Sequence, residues 1–416
     1  MTTERPARSS DPSRSALDRL VPSGGAVFAE RFWGRAPLLA TVEERSGDTF
    51  ADLFDVAAAD ELLTHRGLRT PFLRMAKQGT TVPESAFTAR GGVGAGIADQ
   101  VDPDKVRRLF ADGTSIVLQA LHRTWEPVAR FAQDLAAELG HPTQVNSYIT
   151  PADNRGFEAH YDVHDVFVLQ IHGTKHWVIH PPVLDRPQRD EPWNDRAGRV
   201  REASSAAPLL DTVLRPGDVL YLPRGFIHSA RACGGTSVHL TIGIHPWTGQ
   251  HVTSALLTAT GRRLHDDPRV RTSLPVGIDP GEGEALRPEV ERLREVLLDA
   301  VRTLDADAVL DTLAEQARDA QRADALPPLA QLDAADTLAP TSRVRLRRHL
   351  LVRLEDTDDG TLVTSRIGVV RLEADAAAVL QRLLEGRELT AREAGHGGGI
   401  SAVADLVRQG LLEVLP

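Results

Sequence analysis

The chain has 416 residues, 41% of them hydrophobic and 25% charged, which is room for two or three domains with separate cores and the balance of an ordinary soluble protein. Its formal net charge of −10 disfavours generic attraction to nucleic acid, and a single cysteine, Cys233, excludes an internal disulfide framework and fits a reducing cytoplasm. No apolar run approaches the roughly 20 residues of a membrane span, and MTTERPARSSDPSRS lacks the apolar core of a signal peptide.

Residues 1–27, rich in Ser, Pro and Arg, read as a flexible N-terminus. From Phe28, FAERFWGRAPLLA reads as a short helix leading into a strand, and LFDVAAADELL has helical spacing. The glycine-rich ARGGVGAGIADQ reads as a loop, because no strong strand precedes it and the glycines miss the spacing of a phosphate cradle. DPDKVRRLFADG predicts a helix, SIVLQAL a strand, and WEPVARFAQDLAAELG an amphipathic helix closed by Gly140.

Between 144 and 248 the period changes to two. QVNSYIT, EAHYD, VFVLQI, HWVIH, LLDTVL, VLYLP and SVHLTIGI are predicted strands separated by Gly, Pro and Asp turns. Many short strands at near-regular spacing imply a sandwich or barrel, here a jelly roll within a catalytic domain over 28–250. The charged stretch 183–208 is long enough for a lid or a substrate contact. Residues 251–338 read as helices, notably PEVERLREVLLDAVRTL and ADAVLDTLAEQARDAQ. Residues 339–416 mix strands and helices in a winged-helix-like order. Over 342–416, 11 arginines face 11 acidic residues, a neutral balance that argues against DNA binding and for a structural or protein-contact role.

The chemistry concentrates in two segments. In NSYITPADNRGFEAHYDVHD, His160 and Asp162 are two apart, so on a strand both side chains aim at one point, with Gly156 on a preceding turn. In RPGDVLYLPRGFIHSA, Gly217, Pro223 and Gly225 punctuate a turn, a strand and a tight bend that deliver His228. Two histidines and a carboxylate on one face of a metal, with the other positions open, form the facial triad of non-haem Fe(II) oxygenases. Only Lys77, Lys105 and Lys175 of the 48 basic residues are lysines, so Lys175 in Gly173-Thr174-Lys175 stands out. Gly173 is expected to turn a hairpin between VFVLQI and HWVIH, with Lys175 opening the returning strand as a point charge for a carboxylate. Asn146, Tyr148 and Thr150 share one parity and form the polar face of their strand. His239 either faces inward with Thr241 or is a satisfied core histidine. Trp177 reads as core packing, and His164, His172 and His176 as flanking residues.

These segments resemble the metal-binding motifs of JmjC-type, cupin-4 2-oxoglutarate oxygenases, and among them the ribosomal oxygenases, which are protein hydroxylases. The resemblance is strong over roughly 100–250 and extends back to FWGRAPLL. It implies a double-stranded β-helix (jelly roll) followed by a helical dimerisation region and a C-terminal winged helix, hence a homodimer. By resemblance, His160, Asp162 and His228 hold Fe(II), Lys175 binds the distal carboxylate of 2-oxoglutarate, and Asn146 and Tyr148 line the site as cosubstrate and substrate contacts. The implied reaction uses O2 to hydroxylate a side chain of a ribosomal protein, and lysine at the cosubstrate cation favours histidyl over arginyl hydroxylation. Where many relatives end the last strand in serine this chain has Gly243, so a substrate hydrogen bond at that position does not carry over from the resemblance. Hydroxylation of a peptide natural product, lysine demethylation at the same site, and a cupin-fold binding protein with a vestigial site are the alternatives.

Overall fold

The computed structural model describes residues 15–77, 79–152, 154, 158–281, 283–396 and 399–415, and the chain divides into two compact units, Met1–Pro246 and Trp247–Pro416. The first opens with α1 (Ala16–Leu20) and α2 (Gly25–Arg31), followed by β1 (Leu38–Ala40), α3 (Val56–His65), β2 (Leu73–Lys77), α4 (Pro103–Ala111), β3 (Ser115–Leu118), α5 (Glu126–Leu139) and β4 (Thr143–Thr150). The jelly-roll strands follow: β5 (Asp165–His180), a helix α6 (Ala197–Ala203), then β6 (Leu210–Leu214), β7 (Val219–Leu222) and β8 (Ile227–Ile244).

Part of the segment expected to be flexible is ordered. Ala16, Leu20, Val21 and Phe28 are buried in the main core, and the backbone N–H groups of Ala16 and Leu17 donate to the Glu138 carboxylate at 2.9 and 2.7 Å. A helix this short is held by its tertiary contacts and by an anion on its exposed N–H groups rather than by propensity. Residues 1–14, like Gly156, lie outside the described residues.

The sheet runs β1-β7-β5-β8-β4-β3-β2, with a two-residue strand (Thr80–Thr81) beyond β2, and β6 pairs with β5. The two long strands organise it. The first half of β5 pairs with β7 through Val166–Leu169, and its second half pairs with β6 through Lys175–Ile179. Its partner β8 runs antiparallel along both halves, with register shifts between Cys233 and His239 where the pair bends. Alternation then sorts the faces. Phe167, Leu169, Val238, Leu240, Ile242, Val145 and Ile149 pack under the helices with Leu20, Leu62, Val128 and Leu135. The opposite parity, with Val166, Val168, His239, Thr241, Tyr148 and Thr150, faces an interior cavity.

Two expected elements are different. EAHYD is not a strand: His160 makes one isolated antiparallel bridge with His228. VFVLQI and HWVIH are not a hairpin but one strand of 16 residues, and Gly173 lies inside it. Gly173 has φ of 62°, and a Cβ there would sit 2.1 Å from the carbonyl oxygen of Thr236. The glycine serves the close approach of two bent strands, not a chain reversal. The charged stretch 183–208 is also partly helical, through Trp193–Arg196 and α6.

In the second unit, α7 (Gly249–Leu264), α8 (Arg287–Arg302), α9 (Ala306–Ala320) and α10 (Pro328–Asp336) precede β9 (Arg343–Leu346), the meander β10 (Arg353–Thr357), β11 (Gly360–Ser365) and β12 (Gly368–Leu372), then α11 (Ala374–Leu383), α12 (Gly399–Arg408) and β13 (Leu412–Val414). β9 pairs with β13 and with Leu389–Thr390. Ala323 and Ala335 share one core with Val344, Leu380 and Leu406, whereas Ala255, Ala259 and Val309 of α7 and α9 form a separate one. No helix among the described residues is long and apolar enough to cross a membrane.

Candidate metal centre

The three ligand candidates come from two backbone segments locked side by side. The His160 N–H donates to the His228 carbonyl at 3.1 Å and the His228 N–H donates back at 2.8 Å, which sets the two rings 4.4 Å apart. Asp162 follows two residues on, and its Oδ2 is 3.7 Å from His228 Nε2. One ligand atom from each of His160, Asp162 and His228 lies within 4.8 Å of the others, and this is the one such cluster found among the described residues.

Hydrogen bonds set the chemical state of these atoms. His160 Nδ1 lies 2.7 Å from the Glu158 carbonyl and His228 Nδ1 lies 3.1 Å from that of Phe226. A carbonyl only accepts, so each Nδ1 carries the proton and each Nε2 keeps its lone pair for a metal. Burial and the neighbouring His160 push the His228 imidazole down to about 4, so it is neutral at physiological pH. Burial opposes the charge on Asp162, but the imidazoles of His164, His228 and His160 outweigh it and hold the carboxyl below its usual range. Two imidazoles and an ionised carboxylate are a donor set for a divalent transition metal with open positions.

The same cavity holds a buried cation. Lys175 is 3% exposed, and its Nζ donates to the Thr150 hydroxyl at 3.1 Å. Burial alone pushes this lysine down to about 7. Three further polar groups of the cavity wall have no hydrogen-bond partner among the described residues: Ser115 Oγ, Trp177 Nε1 and His239 Nδ1. Buried polar atoms are rarely left unsatisfied, and a cluster around a lysine without an anion fits an acidic ligand.

Tyr148 lines the cavity and stacks on His239 at 5.1 Å between ring centroids, and burial with the charge of Asp162 pushes its hydroxyl up to about 12. Asn146 shares the parity of Tyr148 but is engaged elsewhere: its Oδ1 accepts the N–H of Ala120 at 3.0 Å, holding a residue whose φ is 53°. Trp177 packs in the core as expected and also faces the cavity, and His239 is the inward-facing alternative rather than a satisfied core residue. Their shared parity with Lys175 and Thr241 was readable in the text. What was missing was the register that sets His239 opposite Tyr148. His164 Nδ1 lies 3.3 Å from the Asp165 carbonyl, with its imidazole still close enough to act on Asp162, and His176 pairs with Asp211 at 2.6 Å.

The bent two-strand scaffold carries a histidine–aspartate–histidine face and a buried lysine in one cavity, and residues 120–252 match the JmjC domain family. The chain is a homologue of the ribosomal oxygenases. It is 29% identical to Ribosomal oxygenase 1 of Gallus gallus over 322 residues, covering 74% of this chain and 51% of that protein. It is 31% identical to Ribosomal oxygenase 1 of Homo sapiens over 229 residues, covering 53% and 35% of the two chains. The bifunctional lysine-specific demethylase and histidyl-hydroxylase NO66 of Aedes aegypti is 24% identical over 369 residues, covering 84% and 54%. The chain thus spans about half the length of these curated relatives or less. Among solved structures, the ribosomal oxygenase YcfD of Escherichia coli, in complex with cobalt and 2-oxoglutarate, superposes with a TM-score of 0.54 at 17% identity, covering 94% of this chain and 98% of that one. At that identity the likeness shows the shared fold.

Proposed function

We propose that this chain is an Fe(II)- and 2-oxoglutarate-dependent oxygenase that hydroxylates a protein side chain, with a ribosomal protein as substrate. The observation that carries the reading is the pairing, in one cavity, of a three-donor metal face with a buried lysine that has no anionic partner among the described residues. His160, Asp162 and His228 would hold Fe(II), and Lys175 with Thr150 would receive the distal carboxylate of 2-oxoglutarate. When bound, the metal and keto acid supply O2 activation, with 2-oxoglutarate leaving as succinate and CO2. The relatives named above as ribosomal oxygenases and as a histidyl-hydroxylase support a protein substrate.

The protein's own part is to bind, orient and exclude water. The backbone pair of His160 and His228 fixes two donors, the Nδ1 protons keep both Nε2 atoms available, and Val166, Val168 and Leu222 make the wall apolar around them. Histidine is favoured over arginine as the target on one structural ground. Among the described residues lining the cavity Asp162 is the only carboxylate, and it belongs to the metal, while Lys175 already contributes a positive charge. A guanidinium entering there would be buried without a counter-ion, whereas a neutral imidazole would not.

The decisive experiment incubates the full chain with Fe(II), 2-oxoglutarate and ribosomal proteins, and compares the ribosomal proteins of cells with and without the gene by mass spectrometry. Gain of one oxygen on a histidine, coupled to succinate, is the expected result. Loss of a methyl group would make the chain a demethylase, and no turnover of 2-oxoglutarate would leave a binding protein.

We further propose that the active form is a cytoplasmic homodimer. Leu256 and Leu257 on α7, Leu297 and Leu298 on α8, and Leu310 on α9 are exposed, an apolar surface that a second copy would cover. Light scattering of the intact chain should give twice the monomer mass.

A further inference from the structure

We infer that Asp165, which is not a ligand, is the positioning residue that sets the separation of Asp162 and His228. The inference rests on the metal-site reading above. Asp165 opens β5 and is fully buried. Its Oδ2 accepts the Tyr221 hydroxyl proton at 2.6 Å, and its Oδ1 accepts the backbone N–H of Arg224 at 3.0 Å, with the Arg224 guanidinium 3.7 Å from that oxygen. A buried carboxylate persists only when satisfied in this way.

What those bonds hold is the turn Pro223–Phe226, which leads directly into His228. The next N–H of that turn, on Gly225, donates to the backbone carbonyl of Asp162 at 3.0 Å. The Phe226 carbonyl accepts the Nδ1 proton of His228 at 3.1 Å. Successive N–H groups of one turn therefore land on the side chain of residue 165 and the backbone of residue 162, while the turn's last carbonyl orients the third ligand. The turn has little freedom to drift: Gly225 has φ of 91°, and a Cβ there would sit 2.6 Å from the Leu184 carbonyl oxygen.

The far end of the brace is anchored in the main core. Tyr221 is fully buried, its hydroxyl accepts the Gly34 N–H at 2.9 Å, and its ring lies 4.9 and 5.0 Å from those of Phe28 and Phe167. The carboxylate is required because it takes two donors from opposite sides. An amide at 165 would turn its NH2 toward one of them, and the Tyr221 hydroxyl, already accepting from Gly34, would lose its acceptor. Support of this kind, one step removed from the ligands, tunes metal affinity.

The test measures Co(II) binding by calorimetry and the Co(II) ligand-field spectrum on the full-length wild type, Asp165→Asn, Tyr221→Phe, and Leu135→Ala as a core-destabilised control in α5. Melting of each metal-free protein is followed in parallel. The brace predicts that Asp165→Asn and Tyr221→Phe weaken Co(II) binding by about 10–100-fold and alter the spectrum. Leu135→Ala should melt earlier yet bind like the wild type. Should Asp165→Asn fail to fold, Tyr221→Phe, which removes one of the two bonds and leaves the charge in place, carries the test. Wild-type affinity and spectrum in Tyr221→Phe or in a folded Asp165→Asn overturn the brace, as does an equal loss in Leu135→Ala. A wild-type protein that binds no Co(II) overturns the metal-site reading itself and the brace with it.

Discussion

The Nζ of Lys175 donates to the hydroxyl of Thr150 at 3.1 Å, and among the described residues burial is what acts on its charge, with no carboxylate beside it. Two consequences follow from this pair. The folded-state value of about 7 lies below the roughly 10.4 of an unfolded lysine. Between those values the unfolded chain binds the extra proton, so the stability of the unliganded protein should rise as pH increases from about 7 toward about 10. Lys175→Met should flatten that rise, as read by denaturant midpoints across pH.

Binding of an acidic ligand should restore the charge on Lys175. At pH 8, calorimetry of 2-oxoglutarate binding in buffers of different ionisation enthalpy should report uptake of about one proton by the wild type. Lys175→Met should take up none and bind at least about 10-fold more weakly, since a charge-assisted contact is lost. Its affinity for the metal should be unchanged.

Asp162→Asn removes the anionic donor while keeping the shape of the site. Metal affinity should fall by more than about 100-fold, beyond the range of changes one step removed from the ligands. Turnover of 2-oxoglutarate should be lost with it. Metal content after dialysis and succinate formation are the two measurements, and an Asn variant that retains both would remove Asp162 from the site.

Gly173 and Gly234 separate two costs that sequence inspection merges. Both have positive φ, at 62° and 69°, but a Cβ at Gly173 meets the Thr236 carbonyl oxygen at 2.1 Å while one at Gly234 meets nothing within 4 Å. Gly234→Ala should cost about 1–2 kcal/mol for the left-handed backbone alone. Gly173→Ala should cost clearly more and should also weaken 2-oxoglutarate binding, because Lys175 lies two residues along. Chemical denaturation and calorimetry check both.

Tyr148→Phe keeps the ring that stacks on His239 and removes a hydroxyl close enough to Asp162 to feel its charge. The expected result is a several-fold rise in KM for the protein substrate, on the order of 1 kcal/mol, with the affinity for 2-oxoglutarate unchanged. Steady-state kinetics with each reactant varied in turn distinguishes the two.

Much of the site was legible before any coordinates. The two-residue spacing of His160 and Asp162, the bend residues before His228 and the rarity of lysine each pointed to chemistry through residue type and local spacing. Alternation also gave the cavity face of β4 correctly, since side-chain direction on a strand is a local property. Errors came where a local signal had a non-local cause. Gly173 looked like a turn because a turn is the commonest use of glycine, but the oxygen it makes room for belongs to a residue 63 positions away. Residues 16–21 looked loose because the carboxylate that holds them is Glu138, more than 100 positions on.

The sequence by itself determined most of the elements, which side chains share a face within a strand, and which three residues have the chemistry of metal ligands, because these follow from periodicity, turn residues and donor type. Only the tertiary structure decided that the side chains of those three residues meet, that Lys175 is buried in one cavity with Trp177 and His239, and that Asp165 accepts from the turn that leads into His228. Each of these depends on the register of β5 against β8 and on contacts across more than 50 positions of chain, and packing of the whole unit, not local preference, sets that register.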